Sequence, residues 1–136
     1  MDIPAALDFV RRHHNGVLAT TRADGRTQMS PVNAAVDGAG RVVISSRETA
    51  YKVRHLRAHP HAAYCAFTEA FFGDWVQVEG PVEILALPDA MEPLVDYYRS
   101  ISGEHPDWAD YRAAMAREQR VLIAITPERA GPTRRG

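Results

Sequence analysis

The stretch of this sequence best equipped for chemistry is Ser45-Ser46-Arg47, followed by Tyr51-Lys52-Val53-Arg54. Two hydroxyls and an arginine leave what reads as the end of a strand, and a helix is expected to begin near Thr49. Free backbone amides at a helix start, with the helix dipole behind them, favour an anion. Arg47 offers a bidentate fork and Lys52 a point charge, a pair that suits a phosphate. Lys52 is the only lysine in a chain whose other basic side chains are arginines. Lys52 and Arg54 stand two apart on the expected helix, so they cannot both face one spot directly. A capped helix with solvated basic residues is the competing explanation. A second segment, Gln28-Met29-Ser30-Pro31-Val32-Asn33, sets small and polar residues and a proline without an N–H inside a β-prone run. A strand broken there would present backbone N–H and C=O groups to a flat polar heterocycle. An edge strand with a bulge explains the same residues without a ligand. Phe71-Phe72-Gly73-Asp74-Trp75 gathers three large aromatics around a glycine, and such residues are expected to cover a partner subunit or a ring ligand.

Other chemistries lack their residues. Six histidines are scattered without the spacing of a metal site, and no metal is expected. No GxSxG, GxxxxGK or GxGxxG pattern occurs, which removes the sequence support for a hydrolase elbow, a P-loop or a dinucleotide fold. Sixteen basic and 17 acidic residues give a net charge of −1, so no strong field attracts nucleic acid or an anionic membrane. No apolar run approaches the roughly 18 residues of a membrane span. The single cysteine, Cys65, has no internal partner, and the acidic start does not resemble a secretory signal. A cytoplasmic protein is expected.

The positioning elements follow from periodicity and turn chemistry. Pro4–His14 has helical spacing and Asn15-Gly16 ends it. Val17–Thr21, Arg26–Val36 and Arg41–Ser45 read as strands, joined by turns at Ala23-Asp24-Gly25 and Asp37-Gly38-Ala39-Gly40. Thr49–His59 is an expected helix, then His61–Thr68 and Trp75–Leu87 are expected strands, with Pro81 suggesting an edge or a bulge. Helices are expected from Leu87 to Ile101 and from Asp107 to Arg117. Their aromatics, among them Asp96-Tyr97-Tyr98-Arg99 and Trp108 with Tyr111, suit core or dimer packing. Val121–Ile125 is the last expected strand and 127–136 a frayed tail. The whole, residues 1–136, reads as one mostly β (α+β) domain of about six antiparallel strands in a small barrel with inserted helices.

Several segments together resemble the pyridoxamine-phosphate-oxidase-like split β-barrel family. They are Gly16–Arg26 with Gln28-Met-Ser-Pro-Val, Tyr51-Lys-Val-Arg-His-Leu-Arg-Ala-His-Pro, and Gly73-Asp-Trp-Val-Gln-Val-Glu-Gly. Ser102-Gly-Glu-His-Pro-Asp-Trp with Asp110-Tyr-Arg is similar to its coenzyme F420 (deazaflavin)-dependent oxidoreductase branch. The resemblance implies an FMN-binding type of split barrel and a homodimer with two cofactor sites at the subunit interface. It implies phosphate contacts from Ser45, Ser46, Arg47 and Lys52, and a strand under the ring from Gln28, Ser30, Pro31, Val32 and Asn33. Trp75 and Gln77 would come from the other subunit. Some relatives carry a basic residue where this chain has Ala50, and Arg47 or Arg54 would stand in for it. The implied activity is hydride transfer between reduced coenzyme F420 and a small organic acceptor, with the second proton from solvent or from Tyr51. Two alternatives share the scaffold: an FMN-dependent oxidase or reductase, and a non-catalytic binder of flavin, haem or another planar ligand.

Overall fold

The computed structural model describes residues 1–135, and turn chemistry accounts for its first hairpins. Strand β1 (Asn15–Thr21) returns as β2 (Thr27–Asn33) through a turn in which Asp24 accepts from the Arg26 amide at 2.9 Å and Gly25 takes φ 85°. The two-residue β3 (Ala35–Val36) turns into β4 (Val42–Arg47) with Asp37 accepting from the amides of Ala39 and Arg41 and Gly40 at φ 76°. Left-handed backbone of this kind favours glycine. Before them lies helix α1 (Ile3–Arg12), capped by Asp2, which accepts from the Ala5 amide at 2.8 Å. After them come α2 (Tyr51–Ala58), β5 (His61–Phe67), β6 (Asp74–Leu85), α3 (Met91–Ser102), α4 (Trp108–Arg117), β7 (Arg120–Ile125) and β8 (Arg129–Arg135).

All pairings are antiparallel, in the order β2-β1-β5-β6-β7-β4-β3, and β8 adds to β6. The 12-residue β6 curls the sheet into a half-barrel by changing partners. It pairs with β5 as far as Pro81 and with β7 from Val82 onward. Gly80 lies at that change, where a Cβ would run into the Thr126 carbonyl. Pro81 is therefore at a partner switch inside the sheet, whereas the sequence pointed to an edge or a bulge. Two apolar cores result. One fills the barrel beneath α1 and α2, around Leu18, Ile44, Tyr64 and Val76, all fully buried. The other lies between β4, β7 and the pair α3–α4, around Val43, Leu94, Tyr111 and Leu122.

Three expectations are corrected. The strand expected over Arg26–Val36 divides at Ala34, whose amide donates to the His14 carbonyl, and β2 runs unbroken through Pro31 in continuous register with β1. The proline is tolerated because β2 is a sheet edge. The expected tail is instead β8, which covers the remaining edge of β6. Its terminal residue, Gly136, lies outside the described residues. With β3 and β8 the described strands number eight, against about six expected.

Candidate functional site

Strand β4 ends where chain polarity changes. Val42 and Ile44 enter the barrel core and Val43 the second core, so strand alternation sends Ser46 inward and Ser45 with Arg47 toward α3–α4. The two serines therefore face opposite sides, and Ser46 is buried. Helix α2 then begins at Tyr51, two residues later than expected. Its N-cap is Ala50, which has no side chain able to accept from the first amides. Val53 and Leu56 anchor the helix in the barrel core. Two such burials are worth about 3 to 6 kcal/mol together.

Cations gather at this junction. Arg47 is opposite Arg120 of β7 in the sheet register. Both guanidiniums donate to the same carboxylate oxygen, Oε1 of Glu118, at 3.2 Å from Arg47 and at 2.8 and 3.1 Å from Arg120. These bonds hold the Glu118 carboxyl below the usual range. Lys52 is half-buried and close enough to Arg120 to feel it. Burial first, and Arg120 second, pull its ammonium below the ordinary lysine value. Among the described residues it has no ion-pair partner. The nearby Glu48 is engaged by Arg57 through two bonds of 2.9 and 2.7 Å. Two arginines thus share one carboxylate, with Lys52 near Arg120 and an uncapped helix start beside them, an arrangement suited to an anion.

A second group adjoins α2 at Tyr51 and His55. Thr20 of β1 faces Gln28 of β2, and both Thr20 Oγ1 and Gln28 Oε1 are buried without a hydrogen-bond partner. Buried polar atoms are almost always paired, so two orphans side by side are unusual. Gln28 lines a cavity of about 290 Å³ with Arg22, Tyr51 and His55. Tyr51 is exposed, with its ring stacked on His55 and the Arg54 guanidinium 5.4 Å from its centroid. Arg54 is thereby directed to Tyr51, and the third cation beside Arg47 and Lys52 is Arg120.

The remaining expected site residues divide by strand alternation. Ser30 and Val32 share the inner face with Gln28, whereas Pro31 and Asn33 share the outer face with Met29. Trp75 and Gln77 also lie on that outer face, paired with Phe67 and Cys65. The chain therefore brings together Ser45, Arg47 and Lys52, and separately Gln28 and Tyr51, but sets Trp75 and Gln77 apart from both. The outer face mixes polar Asn33 and Gln77 with exposed apolar side chains, Met29 at 70% and Phe67 at 39%, and Phe71 and Phe72 of the β5–β6 loop are exposed at 90% and 68%. Arg120, Glu118, Thr20 and Tyr97 were missed by sequence reasoning. Tyr97 of α3 donates to the Asn33 carbonyl at 2.9 Å. A larger cavity, about 570 Å³, lies between α3 and the β3–β4 turn, with Tyr97, Val43 and Leu122 among its walls. Among the described residues no cluster of His, Cys, Asp or Glu could hold a metal ion, and no helix is long and apolar enough to cross a membrane.

The sequence of this split sheet matches a known family. The profile described as pyridoxamine 5'-phosphate oxidase covers residues 3–134. The chain belongs to the pyridoxamine 5'-phosphate oxidase family. Solved structures share the family's split-barrel fold. A conserved hypothetical protein from Mycobacterium tuberculosis is similar at 22% identity and TM-score 0.79, over 99% of this chain and 85% of that one. An F420 reductase aligns at 24% identity and TM-score 0.70, over 91% and 94%. A heme binding protein from Mycobacterium smegmatis aligns at 16% identity and TM-score 0.68, over 92% of this chain and 52% of that one.

Proposed function

We propose that the chain is a cytoplasmic oxidoreductase that binds a phosphate-bearing, flavin-type cofactor, coenzyme F420 in the first instance, at the interface of a homodimer. The observation that carries the reading is the meeting of Arg47, Lys52 and Arg120 beside the uncapped start of α2, with a single carboxylate oxygen shared between the arginines. The orphaned Gln28 and Thr20 oxygens support the fit, since a polar ring edge or ribityl-type chain would give each a partner. Similarity to an F420 reductase over 94% of that chain is in keeping with a deazaflavin.

In this reading Arg47, Lys52 and Arg120 hold the phosphate, with Ser45 and Ser46 at the same strand end. Gln28 and Ser30 orient the ring from one subunit, together with the Pro31–Asn33 segment of β2. Trp75 and Gln77 approach from the partner. When bound, a deazaflavin supplies two-electron hydride transfer, because it has carbon where a flavin has its reactive nitrogen. Tyr51 places a hydroxyl at the mouth of the smaller cavity and, with solvent, is the candidate proton source. The outer face with its exposed Met29 and Phe67, together with Phe71 and Phe72 of the β5–β6 loop, is the dimer contact, expected to bury more than about 2,000 Å².

Titration of the purified protein with coenzyme F420 and with FMN, followed by turnover with peroxide detection, tests the assignment. Tighter binding of coenzyme F420 and negligible peroxide are expected. A protein that purifies yellow with FMN and makes stoichiometric peroxide would instead be the FMN-dependent oxidase. The same phosphate site would serve it. Binding of haem but neither cofactor would make the chain a non-catalytic binder. Sedimentation as a stable monomer at micromolar concentration would remove the dimer.

A further inference from the structure

Tyr97 joins two strands that do not pair with each other. Among the described residues, β2 pairs with β1 alone, and β3 covers β4 only at Val42 and Val43. The edges of β2 at Asn33 and of β4 at Ser45 therefore face the opening of the half-barrel without a strand neighbour. The Tyr97 hydroxyl donates to the Asn33 carbonyl at 2.9 Å and lies near the Ser45 backbone. Tyr97, with its hydroxyl bonded to β2 and its ring packed on the core that holds Val43 of β4, thus spans a gap that strand pairing would close in a full barrel. Asn33 belongs to the ring wall of the proposed cofactor site and Ser45, next to the hydroxyl, to the phosphate wall. The ring of Tyr97 meanwhile packs against the second core and lines the 570 Å³ cavity.

We propose that Tyr97 is a positioning residue whose hydroxyl clasps β2 to β4 and so fixes the separation of the ring and phosphate walls. A ligand that touches both walls gains from the clasp, whereas one that touches only the β4–α2 junction does not. This rests on the cofactor reading above. Packing alone would need the Tyr97 ring but not its hydroxyl, so Tyr97→Phe separates the two roles without loss of core volume.

Two measurements test it. In the cofactor-free protein, hydrogen exchange at the Ser45 amide should speed up in Tyr97→Phe while the amides of β7 keep their protection. In calorimetric or NMR titrations, FMN and coenzyme F420 should bind the variant about three- to tenfold more weakly, the range of one neutral hydrogen bond. Inorganic phosphate should bind variant and wild type alike. Equal cofactor affinity in both proteins would overturn the positioning role, and so would an equal loss for phosphate, which would mean a general loosening of β4. If the wild type binds neither FMN nor coenzyme F420, the cofactor reading falls and takes the positioning role with it. That outcome is distinct from a variant that binds like the wild type.

Discussion

Around α3 and α4 no carboxylate is shared between cations: Arg99 pairs with Glu104 at 2.7 Å and Asp96 at 3.5 Å, and Arg112 with Glu92 at 2.6 Å. At the junction of β4 and α2, Arg47 and Arg120 share one oxygen of Glu118 and Lys52 has no partner among the described residues. The two regions also differ in how their helices begin. Asp107 caps α4 by accepting from the Asp110 amide at 3.1 Å, whereas α2 begins at Ala50 with no side-chain cap. Buried polar atoms follow the same division. The Tyr111 hydroxyl donates to the Leu94 carbonyl at 2.8 Å, while Thr20 Oγ1 and Gln28 Oε1 have no partner. Aromatic packing of Tyr98, His105, Trp108 and Tyr111 completes the first region, with ring centroids 5.0 to 5.7 Å apart. A region whose charges and hydrogen bonds are satisfied internally contributes stability. One that leaves cations and amides free is arranged for an external anion.

The largest effect that separates the two regions is on stability. Tyr111→Ala removes a buried ring and its hydrogen bond from the second core, which should cost about 3 to 5 kcal/mol. Chemical denaturation reads that loss, and the affinity of the remaining folded protein for cofactor should be unchanged. An equal loss of affinity would mean that α3–α4 shapes the site directly. Lys52→Ala reverses the pattern. It removes a charge-assisted bond worth roughly 1.5 to 3 kcal/mol, so cofactor binding should weaken by about 10- to 150-fold while the fold is kept. Arg54→Ala, whose guanidinium lies over Tyr51 instead of beside Arg120, serves as the control for general charge loss. Unchanged affinity in Lys52→Ala would remove the phosphate from this junction.

Capping sharpens the contrast further. Ala50→Asp gives α2 the side-chain acceptor that α4 already has. A new cap of this kind adds about 1 kcal/mol to stability. Its carboxylate would also occupy the amides and oppose the incoming phosphate, so thermal stability should rise and cofactor affinity should fall. A variant that gains stability and binds as before would show that the first turn of α2 is not used.

The division between regions also explains what was legible in the sequence. Asp24-Gly25 and Asp37–Gly40 announced their hairpins because the deciding contacts lie within four residues. Lys52, Arg47 and the two serines stood out because they are contiguous with a strand end. Arg120, Glu118 and Tyr97 did not, since Arg47 meets Glu118 across 71 residues and Tyr97 meets Asn33 across 64. Strand β8 was missed for another reason. Arg129–Arg135 has no apolar alternation, and its pairing comes from the open edge of β6, which no local pattern reveals. The start of α2 was misplaced because Thr49 has the residue type of an N-cap while Ala50 holds the position.

The smallest expected effect is on the pH dependence of binding, and it centres on Lys52. Burial and Arg120 lower its pKa, so the unfolded chain binds that proton more tightly than the folded one. Over the window between the folded and unfolded values, Lys52 therefore contributes stability that rises with pH, opposed by the Cys65 thiol and the Tyr64, Tyr97 and Tyr111 phenols, whose pKa values burial raises. Binding has the opposite sign. A phosphate beside Lys52 favours the ammonium, raises its pKa and causes a proton to be taken up on binding. Affinity should then fall as pH rises through the depressed value, by less than the tenfold per pH unit that one proton permits. In the α3–α4 region Arg112 is shifted the other way, upward through its bond to Glu92, so it stays charged and contributes no such slope. Calorimetric titrations in steps from about pH 7 to pH 10 should show the decline in the wild type. Lys52→Arg, whose guanidinium remains charged throughout, should bind with a flatter profile. Identical slopes in the two proteins would assign the titration to a group other than Lys52, and the anion site would have to be redrawn around Arg47 and Arg120.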